Sequence, residues 1–561
     1  MDLWYVDKYI DSHNHELARP NETAFLRSHR KMTEWQKNEI IGLQKAGLRK
    51  HQIMDVMVQE SNGDHAEVGY VPRDLYNFSY LNKCAKIIDG DANAVLQNMR
   101  QRQLEDCEFF FDYQTNSEGR LVNLFWCDGQ SRLDYQAFGD LLIFDSTYRT
   151  NKYSMPFVPF VGLNHHRSTT VFACAVVSHE TTESFKWLLR TLLVAMYQKE
   201  PKSVITDGDH AMRRAIQQVL PNSIHRLCTW HVERNMTRFI HHCMIPDFRE
   251  LIYKATMPSQ FVRRWKDFVE AHKIGEGKKS YKWLSRMYKI RKLWAASYVK
   301  NKYFLGAQSN QRSESLNSQL HTHLNRKMTL ADMEEHFFRC VKRIRRNEYE
   351  LDCVASQSLP VLITEHKPLE MDAAKCFTPA NFQLVQKEIE RSSNYEIVEI
   401  LENENCIKYI VSAREYTSVR FVECDDEETL ANIKCNCLKF EREGIPCCHV
   451  MLVLIKHDAL IPRSCVLTRW TQNAKSSILS DEKKNESSQQ ERFAELVNLS
   501  KPVFYEASGS TEDFLRWKKT LTDEQKKRRQ NDDFHGNKGE VNQGLLNGAS
   551  PLINVKILCE W

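Results

Sequence analysis

The sequence lacks long apolar runs, an internal repeat and a marked excess of charge of either sign. No run approaches the roughly 18 apolar residues of a membrane-spanning helix, so we expect no membrane partner. Residues 1–10 include Asp2 and Asp7 and contain no apolar signal core, which argues against secretion. Lys and Arg number 78 and Asp and Glu 73, so the net charge of +5 says little about partners.

The composition that remains is that of a globular chain. Its 561 residues allow several domains, and 42% hydrophobic and 27% charged residues exclude collagen, coiled-coil arrays and wholesale disorder. In a chain that is not expected to be secreted, the 17 cysteines are predicted to be mostly reduced thiols, with a few that hold metal.

The most specific motif is a Cys/His cluster near residue 440. Three thiolates and one imidazole match a closed tetrahedral zinc site, in which four protein ligands leave no open position for catalysis. Cys448 is a surplus thiol beside Cys447 and either could bind, but the Cys-x-His spacing favours Cys447. The alternative is a group of free buried cysteines. The predicted structural zinc ligands are Cys435, Cys437, Cys447 and His449.

Short apolar segments from residue 121 onwards predict an α/β fold. A strand at Leu121–Trp126 is followed by a predicted turn at Asp128-Gly129. Three strands, a helix, a strand, a helix and a strand then follow, which is the order of a ribonuclease-H-like sheet, although other α/β folds could share it. The predicted strands are Leu141–Phe144, Phe157–Leu163, Thr170–Val177, Ser203–Thr206 and Ile224–Cys228, and the helices are Glu183–Tyr197 and His210–Leu220.

Acidic residues follow two of these strands. Asp145 and Asp207 each end a short apolar strand, and Glu314 lies on a predicted helix much later in the chain. Neighbouring strands would bring the two aspartates together, and crowded carboxylates are usually neutralised by Mg²⁺ or Mn²⁺ that can activate water against a phosphodiester. Asp209 could substitute for Asp207. The alternative is that these acids are solvated turn residues.

Two further pairs have the composition of partial metal sites. Cys228 and His231 form a Cys-x-x-His motif at a strand end. They could form half of a zinc site, support the acidic residues, or simply pack against their neighbours, and the last of these is favoured. His13 and His15 resemble the last two ligands of a Cys₂His₂-type finger, but no cysteine precedes them and the first is Cys84. The alternative for this second pair is a surface histidine pair.

The small net charge conceals a basic segment. Residues 226–302 contain 18 Lys and Arg but only six Asp and Glu, and they are predicted to be helical and rich in tryptophan. Such a segment could cover a polyanion such as DNA, or it could be a solvated helical surface whose tryptophans form a core. A second basic run could be a nuclear-import signal or the solvated end of a helix; it comprises Lys526, Lys527, Arg528 and Arg529.

Taken together, these motifs resemble a known family. Segments 142–151, 204–209, 227–231 and 311–317 resemble the core of Mutator-like element (MULE) transposases and, more closely, the plant far-red-impaired-response (FAR) family, which is thought to derive from them. The zinc cluster is similar to that family's SWIM finger. Residues 4–17 resemble the end of its N-terminal WRKY-GCM-type DNA-binding finger, whose cysteine ligands are missing from this sequence.

The resemblance implies a nuclear transcription regulator, an activator of light-controlled plant development that binds DNA and zinc and pairs with itself or with family members. It implies no small-molecule substrate. The regions expected from it are a finger remnant (1–25), a helical linker (26–120) that includes a helix at Asp91–Phe111, a ribonuclease-H-fold core (121–350) with a helical insertion (about 232–305), a β-rich segment with the SWIM finger (380–460), and a polar, partly disordered tail (473–561).

Two functions from different classes remain open. In the first, a domesticated regulator keeps the transposase fold for contacts with DNA and protein partners and is not an enzyme. In the second, an active Mutator-like transposase uses Asp145, Asp207 and Glu314 as a metal-dependent triad. The same fold supports either role. The resemblance favours the regulator, whereas the intact acids keep the enzyme as the alternative.

Overall fold

The structure is a computed structural model. It describes residues 8, 12–19, 22, 25–63, 67–86, 90–146, 151–254, 257–276, 279–307, 328–358, 360–403, 406–414, 419–426, 429–430, 432–475, 510–535 and 556–557. The chain forms two compact units, Met1–Ala94 and Val95–Trp561, which are described separately. Among the described residues, no helix combines the length and apolar character needed to cross a membrane.

The first unit is helical. It contains α1 (Glu34–Lys45), α2 (Lys50–Glu60) and α3 (Pro72–Lys86), and α4 (Asp91–Glu105) follows across the boundary. Thr33 begins α1 with a capping box, in which its Oγ1 accepts from the Gln36 N–H over 3.2 Å and its own N–H donates to the Gln36 side chain over 2.9 Å. The buried core of this unit comprises Ile40, Ile53, Met54, Met57, Val58, Val68, Tyr70 and Leu75.

The second unit is built on a mixed sheet in the order β1-β2-β5-β4-β3-β6-β7. In this order, each pair of neighbouring strands from β1 through β2, β5 and β4 to β3 is antiparallel. Strands β3, β6 and β7 are parallel to one another. The elements are β1 (Phe110–Thr115), β2 (Arg120–Cys127), α5 (Gly129–Phe138), β3 (Leu141–Phe144), β4 (Phe157–Leu163), β5 (Thr169–Val177), α6 (Thr182–Ala195), β6 (Ser203–Thr206), α7 (His210–Val219) and β7 (Ile224–Leu227).

The central strands are apolar at nearly every position because both faces of the sheet are covered. Every residue of β3 and of β4 is buried, and β3 pairs in parallel with β6 in the register Leu142 to Val204. This mixed sheet confirms the predicted α/β class, and the elements predicted over residues 141–228 are present in the predicted order. The ribonuclease-H-like assignment of this sheet stays a prediction.

A helical insertion follows the sheet. It contains α8 (Thr229–Phe239), α9 (Ile245–Tyr253), α10 (Pro258–Ala271), α11 (Lys279–Lys289) and the single turn α12 (Ala296–Val299). Its tryptophans form a separate core: Trp265, Trp283 and Trp294 are buried, and the rings of Phe248 and Trp294 stack with centroids 5.3 Å apart.

The rest of the second unit begins with the long helix α13 (Leu330–Gln357), where Thr329 Oγ1 caps the first turn by accepting from the Asp332 N–H over 3.1 Å. A second, antiparallel sheet has the order β11-β10-β9-β8. The remaining elements are α14 (Lys367–Cys376), α15 (Pro379–Ser392), β8 (Tyr395–Asn403), β9 (Cys406–Ala413), β10 (Val419–Cys424), β11 (Lys434–Cys435), α16 (Lys439–Glu443), α17 (Cys448–Lys456), α18 (Thr511–His535) and β12 (Lys556–Ile557), which pairs with β2.

Two predicted elements differ in the structure. The helix expected to run through Phe111 ends at Glu105, and β1 begins at Phe110 because its residues pair with β2. The predicted turn at Asp128-Gly129 is instead the start of α5, where the Asp128 carboxylate accepts from the Ser131 N–H over 2.9 Å. The second difference arises because Asp serves turns and helix starts alike.

Candidate acidic edge and zinc centre

Asp145 and Asp207 lie at one edge of the main sheet. Each follows directly on a strand, β3 for Asp145 and β6 for Asp207, and these strands are adjacent and parallel, so their carboxyl ends meet there. Asp145 is buried, and one of its oxygens accepts from the Ser146 N–H over 2.8 Å. Burial raises the pKa of Asp207 above its usual value.

The Cys-x-x-His pair lies at the same edge. Cys228 directly follows the neighbouring strand β7, is buried, and donates its N–H to the Thr206 carbonyl over 2.7 Å. His231 lies one turn into α8, with its Nε2 atom 3.8 Å from Oδ2 of Asp145. Burial, and secondarily the charge of Arg234, lowers the pKa of His231 to about 4, so the imidazole is neutral at pH 7. His231 therefore lies beside Asp145, whereas Cys228 is buried at the strand end, and the choice among half a zinc site, support of the acids and packing stays a prediction. Among the described residues the pair belongs to no metal-sized cluster.

Two side chains at this edge were missed by the sequence reasoning. Burial raises the pKa of Glu180, and the negative charges of Asp209 and Asp207 raise it further, so its carboxyl group lies within electrostatic reach of those two aspartates. Arg286, from α11, donates to the Gly208 carbonyl over 3.0 Å. No sequence signal marks either residue, because a loop and a distant helix bring them here through tertiary packing.

Asp209 has a structural task at this edge. Its carboxylate accepts from the Met212 N–H over 2.8 Å and so caps α7, while its own N–H donates to Oδ1 of Asp207 over 2.9 Å. Its use as a substitute for Asp207 stays a prediction. Glu314 lies outside the described residues, so the acidic edge is built here from Asp145 and Asp207.

The four predicted zinc ligands converge in the second sheet region. Cys435 lies on β11, Cys437 lies in the turn that follows, and Cys447 and His449 lie at the start of α17. Their ligand atoms all lie within 4.8 Å of one another. A tetrahedral zinc ion with bonds of about 2.3 Å to sulfur holds its ligand atoms about 3.8 Å apart, so this set fits zinc.

The chemistry of these donors also fits the ion. Hydrogen bonds from the Cys435 and Cys447 thiols hold the pKa of the Cys437 thiol well below its usual range, which favours a thiolate before metal arrives. Nδ1 of His449 lies 3.5 Å from Sγ of Cys435. Zinc bound here would supply a structural cross-link between β11 and α17 and, with four protein ligands, no open catalytic position.

Neighbouring residues position the finger. Gly444, before the second pair of ligands, has φ of +69°, and a Cβ there would lie 2.3 Å from Leu467 Cδ1 and 2.6 Å from Trp470 Nε1. Cys448 is not part of the converging set; burial raises the pKa of its thiol to about 11, and its N–H donates to Glu388 over 2.9 Å. The structure thus groups Cys447 rather than Cys448 with the other ligands.

Two weaker predictions fall outside these centres. His13 and His15 are exposed, with ring centroids 5.3 Å apart, and among the described residues they belong to no metal-sized cluster. The basic run at 526–529 lies within the helix α18. Its role in nuclear import stays a prediction.

Three family models match the chain. The MULE transposase domain matches residues 141–235, which hold both aspartates and His231. The SWIM zinc finger matches residues 421–458, which hold the four converging ligands. The FAR1 HTH-like domain matches residues 31–88, which hold α1, α2 and α3 of the first unit. The sequence pattern alone predicts only a helical linker for this last segment.

Curated relatives match over most of the chain. Protein FAR1-RELATED SEQUENCE 5 from Arabidopsis thaliana is 31% identical over 487 residues, or 85% of this chain and 61% of the relative. Protein FAR-RED IMPAIRED RESPONSE 1 from the same plant is 28% identical over 564 residues, or 97% of this chain and 66% of the relative. The resemblance to the far-red-impaired-response family is confirmed. The chain spans less than two thirds of the length of either relative.

Proposed function

We propose that the protein is a nuclear, DNA-binding transcription regulator derived from a transposase. In this proposal it is an activator in a light response, since one relative's name refers to an impaired response to far-red light. The FAR1 HTH-like match and the MULE match support contact with DNA. The observation that carries the proposal is the arrangement of basic residues around the acidic edge.

Two rows of cations begin at that edge. On α8, His231 faces Asp145, and the exposed Arg234 and Arg238 follow it at helical spacings of three and seven residues. On α11, Arg286 contacts Gly208, next to Asp207, and the exposed Lys282 and Lys289 lie on the same side of that helix.

The two rows belong to one packed body, because the rings of Phe239 on α8 and Trp283 on α11 stack with centroids 5.8 Å apart. A duplex laid along them would neutralise its phosphates on Lys and Arg and release counterions. The basic residues of these two rows would therefore meet a phosphate backbone as it approaches Asp145 and Asp207.

A salt titration of DNA binding tests this surface. We would replace Arg238, Lys282 and Lys289 together by Gln and measure binding of a labelled duplex by fluorescence anisotropy at several salt concentrations. The slope of log affinity against log salt should become less steep by about 0.9 for each phosphate that the variant no longer neutralises. A matched control replaces three exposed lysines elsewhere, Lys375, Lys387 and Lys456. Equal slopes for the two triple variants would contradict the proposal.

The cellular part is tested separately. A fluorescent fusion should accumulate in the nucleus and associate with chromatin, and alanine at residues 526–529 should shift it to the cytoplasm. Cytoplasmic residence of the unaltered protein without chromatin association would count against a regulator. Pairing with a second copy, which the resemblance implies, predicts a dimer mass in light scattering, and a monomer mass at micromolar concentration would count against it.

The acidic edge supports a second candidate, metal-dependent DNA cleavage. Asp145 and Asp207 end adjacent parallel strands, and carboxylate oxygens are the ligands that Mg²⁺ and Mn²⁺ prefer. Bound there, such an ion would activate water against a phosphodiester. In that reaction His231, neutral beside Asp145, would orient its carboxylate.

A cleavage assay tests this alternative. Purified protein would be incubated with Mn²⁺ and a duplex that ends in inverted repeats, and wild type compared with Asp145→Ala. Glu350→Gln, an exposed carboxylate on α13, is the control. Cleavage by wild type and the control but not by Asp145→Ala supports the enzyme. Absence of any Asp145-dependent product rejects it.

A further inference from the structure

Two histidines and a carboxylate meet where the β4–β5 turn packs against α13. Nε2 of His165 lies 2.6 Å, and Nε2 of His166 2.8 Å, from the same Oδ1 atom of Asp352. Both imidazoles are buried, and the Asp352 side chain is 43% exposed. None of these residues takes part in the acidic edge or in the SWIM zinc centre.

We propose that His165, His166 and Asp352 bind a second zinc ion, with the fourth coordination position open to water. Two neutral imidazoles and one carboxylate are a donor set that zinc accepts readily, and three protein ligands plus water is one of its recurring arrangements. The three candidate ligand atoms lie within 4.8 Å of one another. Around a zinc ion with bonds of about 2.0 Å they would lie about 3.3 Å apart, so the present contacts of 2.6 and 2.8 Å would lengthen by about 0.5–0.7 Å.

The protonation pattern favours a metal over hydrogen bonds alone. If each Nε2 carries a proton toward Asp352, Nδ1 of His165 holds a lone pair. That Nδ1 is buried without a hydrogen-bond partner and lies 4.0 Å from a carboxylate oxygen of Glu348. A metal on Nε2 requires the other tautomer, whose Nδ1–H points its positive end toward that carboxylate. Such a carboxylate behind a ligating histidine is a recurring support of zinc sites.

The surroundings hold the first histidine in place. The carbonyl of His165 accepts from Thr378 Oγ1 and from Asn381 Nδ2, each over 2.7 Å. Its ring stacks on Phe138 with centroids 5.6 Å apart and an interplanar angle of 15°. A histidine whose backbone is hydrogen-bonded and whose ring is stacked loses little further freedom on binding a metal, which favours the site energetically.

The proposed site lies at the opposite edge of the sheet from Asp145. Because β4 is antiparallel to β3, the turn that follows Leu163 lies beside the start of β3, whereas Asp145 follows its end. A metal bound here would therefore be independent of any ion at the acidic edge. Its effect would be to fasten α13 to the sheet.

Cobalt titration of the purified full chain distinguishes the sites. Co²⁺ bound to the SWIM thiolates gives a sulfur-to-metal charge-transfer band, whereas Co²⁺ on His165, His166 and Asp352 gives only ligand-field absorption. We expect one equivalent with the thiolate band and a second without it. Asp352→Asn and His166→Gln should each abolish the second equivalent and leave the thiolate band unchanged. Asp145→Ala should retain both.

Matched controls are Glu350→Gln, an exposed carboxylate on the same helix, and His179→Gln, an exposed histidine. Zinc at a hundredfold excess over its dissociation constant should raise the melting temperature of wild type by about 4 °C, and that of Asp352→Asn by less. If a variant fails to fold, the wild-type titration decides. A single equivalent, or a second equivalent lost in Asp145→Ala, overturns the proposal.

Discussion

The carboxylate of Glu388 accepts a hydrogen bond from the backbone N–H of Cys448 over 2.9 Å. Glu388 lies on α15 and is buried, and its other oxygen pairs with Arg391 at 2.8 Å and with Lys439 at 3.1 Å. Lys439 follows Cys437 by two residues, and Cys448 lies between the ligands Cys447 and His449. One buried carboxylate therefore joins both halves of the zinc finger to the preceding helix.

Glu388→Gln should destabilise the finger. The amide keeps one acceptor but loses the charge that holds two cations. For a buried hydrogen-bonded group we expect the free energy of unfolding to fall by about 1–3 kcal/mol. We expect a lower urea midpoint and faster zinc release to a chelator. Glu390→Gln, an exposed carboxylate on the same helix, is the control. Similar zinc release from both variants would show that Glu388 does not support the finger.

Zinc content should depend on the converging ligands. Replacing Cys435 and Cys437 together by Ser should remove one equivalent of zinc per chain, because two oxygen donors cannot replace two thiolates at this site. Cys448→Ser should keep that equivalent, since the structure leaves this thiol outside the set. Metal analysis after dialysis measures both. Loss of zinc from Cys448→Ser would reverse the choice between Cys447 and Cys448.

Arg345→Lys should loosen α13. The Arg345 guanidinium donates two hydrogen bonds to Asp128, over 2.7 and 2.6 Å, and a third to Ser131 over 2.9 Å. Although burial alone would raise the pKa of Asp128, this guanidinium holds it below its usual value. Lysine cannot make the paired contact, so we expect the free energy of unfolding to fall by about 1–3 kcal/mol. The urea midpoint measures this change.

The adjacent residue provides the control for that measurement. Arg346 is exposed and pairs with Glu350 on the surface. Arg346→Lys should leave the midpoint nearly unchanged. Equal shifts for the two variants would mean that the Asp128 contact contributes no stability.

His225 should make the sheet sensitive to mild acid. Its Nε2 is hydrogen-bonded to Thr206 Oγ1 over 2.8 Å. Burial, with a smaller effect of the positive charge of Arg213, lowers the pKa of His225 from 6.5 to about 4. The unfolded chain therefore binds the proton first. The stabilisation is complete above pH 6.5 and is lost as the pH falls toward 4, with a slope of up to about 1.4 kcal/mol per pH unit.

A pair of variants isolates this effect. His225→Gln should flatten the dependence of the unfolding free energy on pH between 6.5 and 5, whereas His179→Gln, at an exposed position, should not. Urea midpoints at several pH values supply the data. A slope unaltered by His225→Gln would assign the acid sensitivity to other groups.

The sequence predicts the centre of the main sheet well because its strands are buried on both faces, so that runs such as Leu141–Phe144 are apolar throughout. It does not predict β1, whose mixed aromatic and polar residues form a strand by pairing with β2. It likewise predicts that Asp145 and Asp207 are neighbours, from strand ends alone. Glu180 and Arg286 reach the same edge through packing, which no local pattern records.

The convergence of the four predicted zinc ligands could be foreseen because they lie close together in the chain, with a spacing that a single turn can close. His166 and Asp352 are far apart in sequence and meet only because α13 packs against the β4–β5 turn. Local spacing in the sequence therefore predicts the zinc finger but not the cluster of His165, His166 and Asp352.

The helical insertion has a hydrophobic core of its own, and Leu227 is the one residue of the main sheet among its described members. Substitutions in the two cores should therefore have nearly additive effects on stability, since few side chains are shared between them. The cationic rows on α8 and α11 can then change by mutation without disturbing the strands that hold Asp145 and Asp207. Separate cores thus allow the charged surface of the insertion to diversify while the acidic edge stays as it is.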